Sequence, residues 1–328
     1  MKKLLILSNN PDRASFVFRI QAYLGRLQRQ GIDCHIERIP PGLSSRRRLY
    51  RSAGQYDGVL LHKKKLNWHD ALVLRRAARC LIYDVDDAVM YSTKHPHRFS
   101  YAHFVPFQRS ARAADLVLAG NAYLAEHARH VNPNVMILPT GLDTQAYQVP
   151  VAHESGDPVR LVWIGSRSTL EYIRDLAPVL DCVAESCPWA VLRLICDDFF
   201  KLHAMPVEEM KWSQDTQVHH LTTSDIGLAP LPDNRFTQGK CGFKILQYLA
   251  AGLPVIASPV GVNAELVEEG VNGFLAQDEG QWQERLIQLI RDVDLRRSMG
   301  QQGQRKVQAY DMDAIGQRFC DAIVNLLF

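Results

Sequence analysis

Nowhere in the 328 residues does an apolar run reach the roughly 18 positions that a membrane-spanning helix requires. The opening Met1–Ser8 is apolar, but the run is short. Asn9-Asn10-Pro11-Asp12 follows at once with no small-residue cleavage site, so it reads as a first buried strand rather than a signal peptide. The cysteines are Cys34, Cys80, Cys182, Cys187, Cys196, Cys241 and Cys320, an odd and scattered set. Without a Cys-x-x-Cys or a Cys/His cluster there is no zinc module and no disulfide framework, and free thiols in a reducing cytoplasm fit best. The histidines form no ligand spacing either. There is no G-x-G-x-x-G, no short-period repeat and no low-complexity segment. The basic clusters lack interleaved aromatics and a recognition-helix pattern, which argues against nucleic acid.

What is present describes an ordinary soluble globular chain, with 47% hydrophobic and 22% charged residues and a length of about two domains. Its charge is unevenly spread. Residues 1–150 carry 22 Lys and Arg against 11 Asp and Glu, and the rest carry 16 against 24. The excess gathers in Arg46-Arg47-Arg48, Arg51, Lys63-Lys64-Lys65 and Arg75-Arg76. Such asymmetry reads either as a solvated face or as attraction to an anionic acceptor or membrane surface.

Short apolar runs alternate with amphipathic ones, the pattern of parallel sheets with crossover helices. Strands are expected at Leu4–Leu7, Gly58–His62, Cys80–Tyr83, Leu116–Ala119 and Val135–Leu138. After a polar linker at Gln148–Pro158 they resume at Arg160–Ile164, Val191–Cys196, Ile226–Ala229 and Val255–Ala257. Helices are expected over Ser15–Gln30, Leu170–Ala184 and Phe243–Ala251, with helix throughout from Gln281 onward. The implied domains are residues 1–152 and 153–328, with the last helix a candidate to pack back on the first. Two α/β halves of this kind place a ligand cleft between them by default.

Three stretches carry chemistry. In Gly239–Ala257, Lys240, Lys244 and Gln247 are spaced by four and three and share one helical face, behind a loop of small residues. A helix start with lysines suits a diphosphate, and an ordinary surface helix with snorkelling lysines suits the same spacing. Gly165-Ser166-Arg167 follows a strand, and Ser168 with Glu171 has the spacing of a capping box. Tyr83-Asp84-Val85-Asp86-Asp87 also follows a strand, where open α/β sheets place ligands. Its carboxylates read as acceptor contacts, a general base, or simple helix caps. Arg19 and His62 are further candidates to face the cleft. Asp197-Asp198 at a strand end reads as a solvated turn before it reads as a neighbour of the nucleotide base, and Asp233 and Arg235 are candidates to touch the donor.

The Gly239–Ala257 stretch, the Ile137–Asp143 crossover and the Glu265…Gly270…Gly273-Phe274-Leu275 run together resemble the family 4 glycosyltransferases, over nearly the whole chain. That resemblance implies the GT-B fold, two Rossmann-like domains facing each other across a cleft. It also implies a retaining transfer from a nucleotide-diphosphate sugar to a saccharide or lipid-linked acceptor, in bacterial surface polysaccharide or glycolipid synthesis. Gly165, Ser166, Arg167, Gly239, Lys240, Lys244 and Gln247 would meet the donor. Asp84, Asp86 and Asp87 would meet acceptor or sugar, with Asp86 or Asp87 in place of a histidine common among relatives. No cofactor or essential metal is implied, and the expected location is the cytoplasm or the inner face of its membrane. Where relatives carry two glutamates eight residues apart, this chain has Gly239 and Gln247, which resembles a variant subgroup using a Lys-x-x-Gln pair, here Lys244 and Gln247. Without the paired glutamates, a two-lobed protein that binds nucleotide or sugar without turnover is the alternative.

Overall fold

The computed structural model describes residues 1–148 and 158–328. Apart from its two end residues, the linker expected at Gln148–Pro158 lies outside the described residues, as does the expected 152/153 boundary. The chain packs as two compact units. Unit 1 is Met1–Gly141 with Asn234–Cys241 and Met312–Phe328, and unit 2 is Leu142–Asp233 with Gly242–Asp311.

Unit 1 holds a six-stranded sheet made of β1 (Lys2–Ser8), β2 (Ile32–Arg38), β3 (Gly58–His62), β4 (Leu81–Val85), β5 (Leu116–Ala119) and β6 (Val135–Ile137), in the order β2-β1-β3-β4-β5-β6. Every pairing is parallel. Successive side chains of a strand point to opposite faces. Leu5 and Leu7 accordingly join one core with Tyr50, Leu74 and Phe107, while Leu4 and Ile6 join another with Tyr23 and Phe319. The second core is covered by the helix Met312–Leu327, whose Ile315, Phe319, Ile323 and Leu327 face inward.

Unit 2 repeats the scheme with β7 (Val159–Ile164), β8 (Ala190–Cys196), β9 (Val207–Lys211), β10 (Ile226–Ala229), β11 (Val255–Ala257) and β12 (Gly273–Leu275). Read from β9, the order is β9-β8-β7-β10-β11-β12, again all parallel. This is the doubly wound dinucleotide-fold order, with its reversal between β7 and β10.

Three strands escape the sequence pattern. β2 and β9 are half-exposed edge strands without a continuous apolar run, and β12 has only three residues. The helix expected over Ser15–Gln30 is broken into Ala14–Arg19, a 3-10 turn and Leu24–Arg29. The one expected over Leu170–Ala184 splits into Leu170–Arg174 and Ala177–Ser186. Pro178 sits in the first turn of the second piece, where its missing N–H costs nothing.

Candidate functional site

In unit 2 the chain leaves β7 toward β8 and β9 on one side and returns on the other as β10, so the carboxyl ends of β7 and β10 flank the switch point where such sheets bind ligands. Tyr248 locks that point. Its hydroxyl accepts the Ile164 N–H at 3.0 Å and donates to the Leu228 carbonyl at 3.1 Å, tying the ends of both strands together. Its ring fills the space beside Gly227, where a Cβ would come within 2.5 Å of it.

Beyond β7 runs Gly165-Ser166-Arg167. A Cβ on Gly165 would stand 2.4 Å from Cη2 of the buried Trp163 indole, so only glycine lets the loop lie on that ring. Lys244 places its ammonium 4.3 Å from the centroid of the same ring. The indole therefore brings the loop and the lysine together, through a cation–π contact of about 0.5–2 kcal/mol. Lys244 lies in the first turn of the helix Phe243–Ala250, whose cap, Gly242, takes φ +64° with Leu266 within 2.5 Å of its missing Cβ. The positive end of the helix dipole and the lysine thus share one place. Trp163 and Tyr248 were not singled out by sequence, since both read as core.

The other expected donor residues of unit 2 are arranged differently. Arg167 is largely exposed and ion-paired with Asp198 at 3.2 Å. Such a solvated pair is worth little and is readily exchanged for another anion. The Ser168–Glu171 capping box does not form. Ser168 shares a hydrogen bond with the Ser166 hydroxyl at 2.9 Å, and a 3-10 turn over Arg167–Thr169 opens the segment. Gln247 is buried, and its amide nitrogen donates to Tyr147 Oη and to Gln217 Oε1, each at 3.1 Å. With both amide hydrogens committed inside the unit, Gln247 links the helix to Tyr147 and Gln217.

In unit 1, β4 extends through Val85, so Asp84 stands inside the strand and not in the loop after it. Arg19 Nε donates to Asp84 Oδ1 at 2.8 Å and Oδ2 at 3.0 Å, Arg19 Nη1 donates to the Leu138 carbonyl at 2.7 Å, and His62 Nδ1 lies 2.9 Å from Asp84 Oδ2. All three side chains are buried. Burial alone would push the Asp84 carboxyl upward, but the Arg19 guanidinium and His62 hold it below the usual carboxylate range. Asp84, Arg19 and His62 thus form an interior knot joining three parts of the unit, and none offers a surface to substrate.

Asp86 and Asp87 leave the sheet and meet lysines. Lys63 Nζ lies 2.9 Å from Asp86 Oδ1 and 2.6 Å from Asp87 Oδ2, and Lys240 Nζ lies 3.1 Å from Asp87 Oδ1. Lys63 holds the left-handed backbone with φ 53°. Gly239 packs on Ala88, where a Cβ would come within 2.5 Å, Cys241 Sγ donates to the Asp86 carbonyl at 3.1 Å, and Asn121 Nδ2 donates to the Lys240 carbonyl at 3.0 Å. Gly239 and Lys240, expected at the donor, are thus built into unit 1 around the β4 loop, whereas Lys244 belongs to unit 2. The three aspartates do not converge, and among the described residues no group of three or more His, Cys, Asp or Glu is placed to hold a metal ion.

Burial pushes the Asp87 carboxyl up, but Lys240 and Lys63 pull it further down, well below the usual range. Its contribution to stability is therefore present above about pH 4 and lost as pH falls through the depressed value. We expect the melting-temperature gap between wild type and Asp87→Asn, recorded from pH 7 to pH 2, to close on the acid side. A constant gap would mean that the two lysine contacts do not form.

Residues 201–292 match the family of glycosyl transferases group 1. A 64-residue stretch is 36% identical to spore coat protein SA of Bacillus subtilis (strain 168), spanning 19% of this chain and 17% of that relative, well short of two thirds of its length. The crystal structure of Anabaena Alr3699/HepE in complex with UDP and glucose aligns with a TM-score of 0.71 at 18% identity, covering 99% of this chain and 100% of that one. Sucrose-phosphate synthase of Thermosynechococcus elongatus aligns with a TM-score of 0.75 at 15% identity, with 99% of each chain covered. WaaG, a glycosyltransferase involved in lipopolysaccharide biosynthesis, aligns at 0.73 and 14% identity, over 98% of this chain and 99% of that one. At such identities the likeness is one of fold. No helix among the described residues is long and apolar enough to cross a membrane. With two parallel six-stranded sheets, a switch point in each and alignments spanning nearly the whole chain, this protein has the GT-B fold of two Rossmann-like domains.

Proposed function

We propose that the protein is a glycosyltransferase that takes its sugar from a nucleotide-diphosphate donor held by unit 2. The observation that carries this reading is the meeting of Lys244 and the Gly165 loop on the Trp163 indole at the β7/β10 switch point. As the bond from the anomeric carbon to the diphosphate breaks, the electron pair leaves with the diphosphate. A lysine and a helix start fixed in advance stabilise that growing charge without having to move. Arg167 adds a second cation once the donor displaces Asp198. The UDP and glucose of the Anabaena structure and the group 1 match over residues 201–292 support the reading.

The finer assignments are part of the same proposal. Asp87, with 28% of its side chain exposed, is the carboxylate available to a sugar or acceptor hydroxyl, and Asp86, at 9%, is less so. Membership of the family 4 branch, retention of configuration and a role in surface polysaccharide or glycolipid synthesis follow from the resemblance alone. A cytoplasmic site of action with peripheral contact to an anionic membrane is supported by the basic excess of residues 1–150 and by exposed Leu43 and Trp68.

The test is a thermal-shift series with nucleoside diphosphates, followed by assay of nucleotide release from the sugar nucleotide that stabilises most. A ligand at 100 times its dissociation constant stabilises the folded protein by about 2.7 kcal/mol. If no nucleoside diphosphate raises the melting temperature, the donor site is wrong. If one does and no sugar nucleotide is ever turned over, the protein is a binding module instead.

A further inference from the structure

From residue 88 to residue 114 the chain carries no Asp or Glu, yet it holds Lys94, Arg98, Arg109 and Arg112 together with His95, His97 and His103. The run begins directly after Asp87, at the carboxyl end of β4, where a doubly wound sheet meets its ligands. Arg109 is spent on the Leu66 carbonyl at 3.0 Å, and His103 faces Lys65 Nζ at 2.6 Å. Lys94, His95, His97 and Arg98 are exposed, and none of them forms an ion pair among the described residues.

Aromatic rings stand beside these cations. Phe99 is 46% exposed and Tyr101 76%, an unusual openness for two neighbouring rings. They are not loose. They meet edge to face with centroids 5.0 Å apart, and Phe99 also lies 5.0 Å from Phe104. Phe104 backs onto Tyr91 at 6.4 Å and His127 at 6.3 Å, and Tyr91 Oη is hydrogen-bonded to His127 Nε2 at 2.9 Å. A ladder of rings thus runs from the core of unit 1 out to Tyr101 and leaves two perpendicular faces open.

We infer that this shelf, residues 94–101 supported by Phe104, binds a saccharide bearing carboxylate or phosphate groups, so that the acceptor of the transfer proposed above is an anionic glycan. This rests on that reading and adds the acceptor class to it. The C–H face of a sugar ring packs on the electron-rich face of an aromatic ring, and a guanidinium reads a carboxylate or phosphate through its fork of donors. A membrane surface fits less well. Interfacial insertion draws on leucine, tryptophan and phenylalanine spread along one face of a helix, whereas the open rings Phe99 and Tyr101 sit at the start of the helix Tyr101–Ala113 and residues 88–105 contain no Leu, Ile or Trp.

The experiment is calorimetric titration of the full-length protein with an oligogalacturonate, a glycerol-phosphate oligomer and a neutral malto-oligosaccharide of matched length, with anionic vesicles and a thymidine oligonucleotide as further arms. At least one of the two anionic glycan-type probes is expected to bind about 10-fold more tightly than the neutral one and to weaken as salt rises. Tyr101→Ala and the Lys94→Gln/Arg98→Gln pair should each weaken it about 10-fold, with the nucleoside-diphosphate thermal shift unchanged. Equal binding of the neutral probe overturns the inference, as does binding confined to vesicles or the oligonucleotide, unaltered binding by both variants, or no binding of either anionic probe. Loss of the nucleotide shift in wild type would instead be a failure of the donor site, and the two results are read separately.

Discussion

Replacing Arg19 by methionine is expected to destabilise unit 1 by about 3–5 kcal/mol, because it leaves the Asp84 carboxylate buried without its cation. The change removes two hydrogen bonds to Asp84 and one to the Leu138 carbonyl, and it leaves His62 as the partner of an interior charge. For a unit of this size the loss corresponds to a fall in melting temperature on the order of 10 °C. The measurement is urea denaturation of wild type, Arg19→Met, Asp84→Asn and the double variant. Removing both partners should cost less than removing Arg19 alone, since a neutral amide needs no counter-charge. A single variant within about 1 kcal/mol of wild type would mean that Arg19 and Asp84 are not paired in the interior. The nucleoside-diphosphate response of unit 2 should survive in the folded fraction, because neither residue belongs to it.

Lys244→Ala is the variant with the largest expected effect on turnover, a loss of roughly 10- to 100-fold in rate, from the approximately 1.5–3 kcal/mol that a charged hydrogen bond to phosphate supplies. Urea denaturation of the same variant separates a loss of turnover from a loss of fold, since the side chain is partly buried and packs on the Trp163 ring. If the ammonium acts mainly on the departing diphosphate, kcat falls more than KM rises. Lys244→Arg should recover part of the rate, because charge is retained while the geometry over the indole changes. A variant with alanine at position 244 that turns over at the wild-type rate would remove the lysine from the mechanism, and the donor assignment with it.

How much of the fold and of the site is legible in the sequence differs from one element to the next. Strands buried on both faces, such as Leu4–Leu7 and Cys80–Tyr83, announce themselves because parallel sheets demand unbroken apolar runs. Edge strands are under no such demand. Ile32–Arg38 runs from a buried isoleucine to four exposed residues, so its alternation is lost in polar side chains. At the site, the spacing of Lys244 behind a glycine-rich turn was readable because it is a local property of one helix. The fate of Asp84 was not, since its partner Arg19 lies 65 residues away and periodicity carries no information on such pairing. Gln247 shows the same limit: its burial against Tyr147, 100 residues earlier, is settled only by the fold.

The helix Met312–Leu327 has a consequence for how the chain comes to be folded. Residues 312–328 are synthesised after all of unit 2, yet they seal one face of the sheet begun at Lys2. A nascent chain that has emerged only through residue 311 still exposes Leu4, Ile6, Tyr23 and Leu60 on that face. Domains that emerge first usually fold first. Here the order is inverted, and the domain emerging second is complete before the first. Ribosome-bound intermediates of this protein should therefore be protected from protease in unit 2 while unit 1 is still open, an interval in which a chaperone has apolar surface to hold.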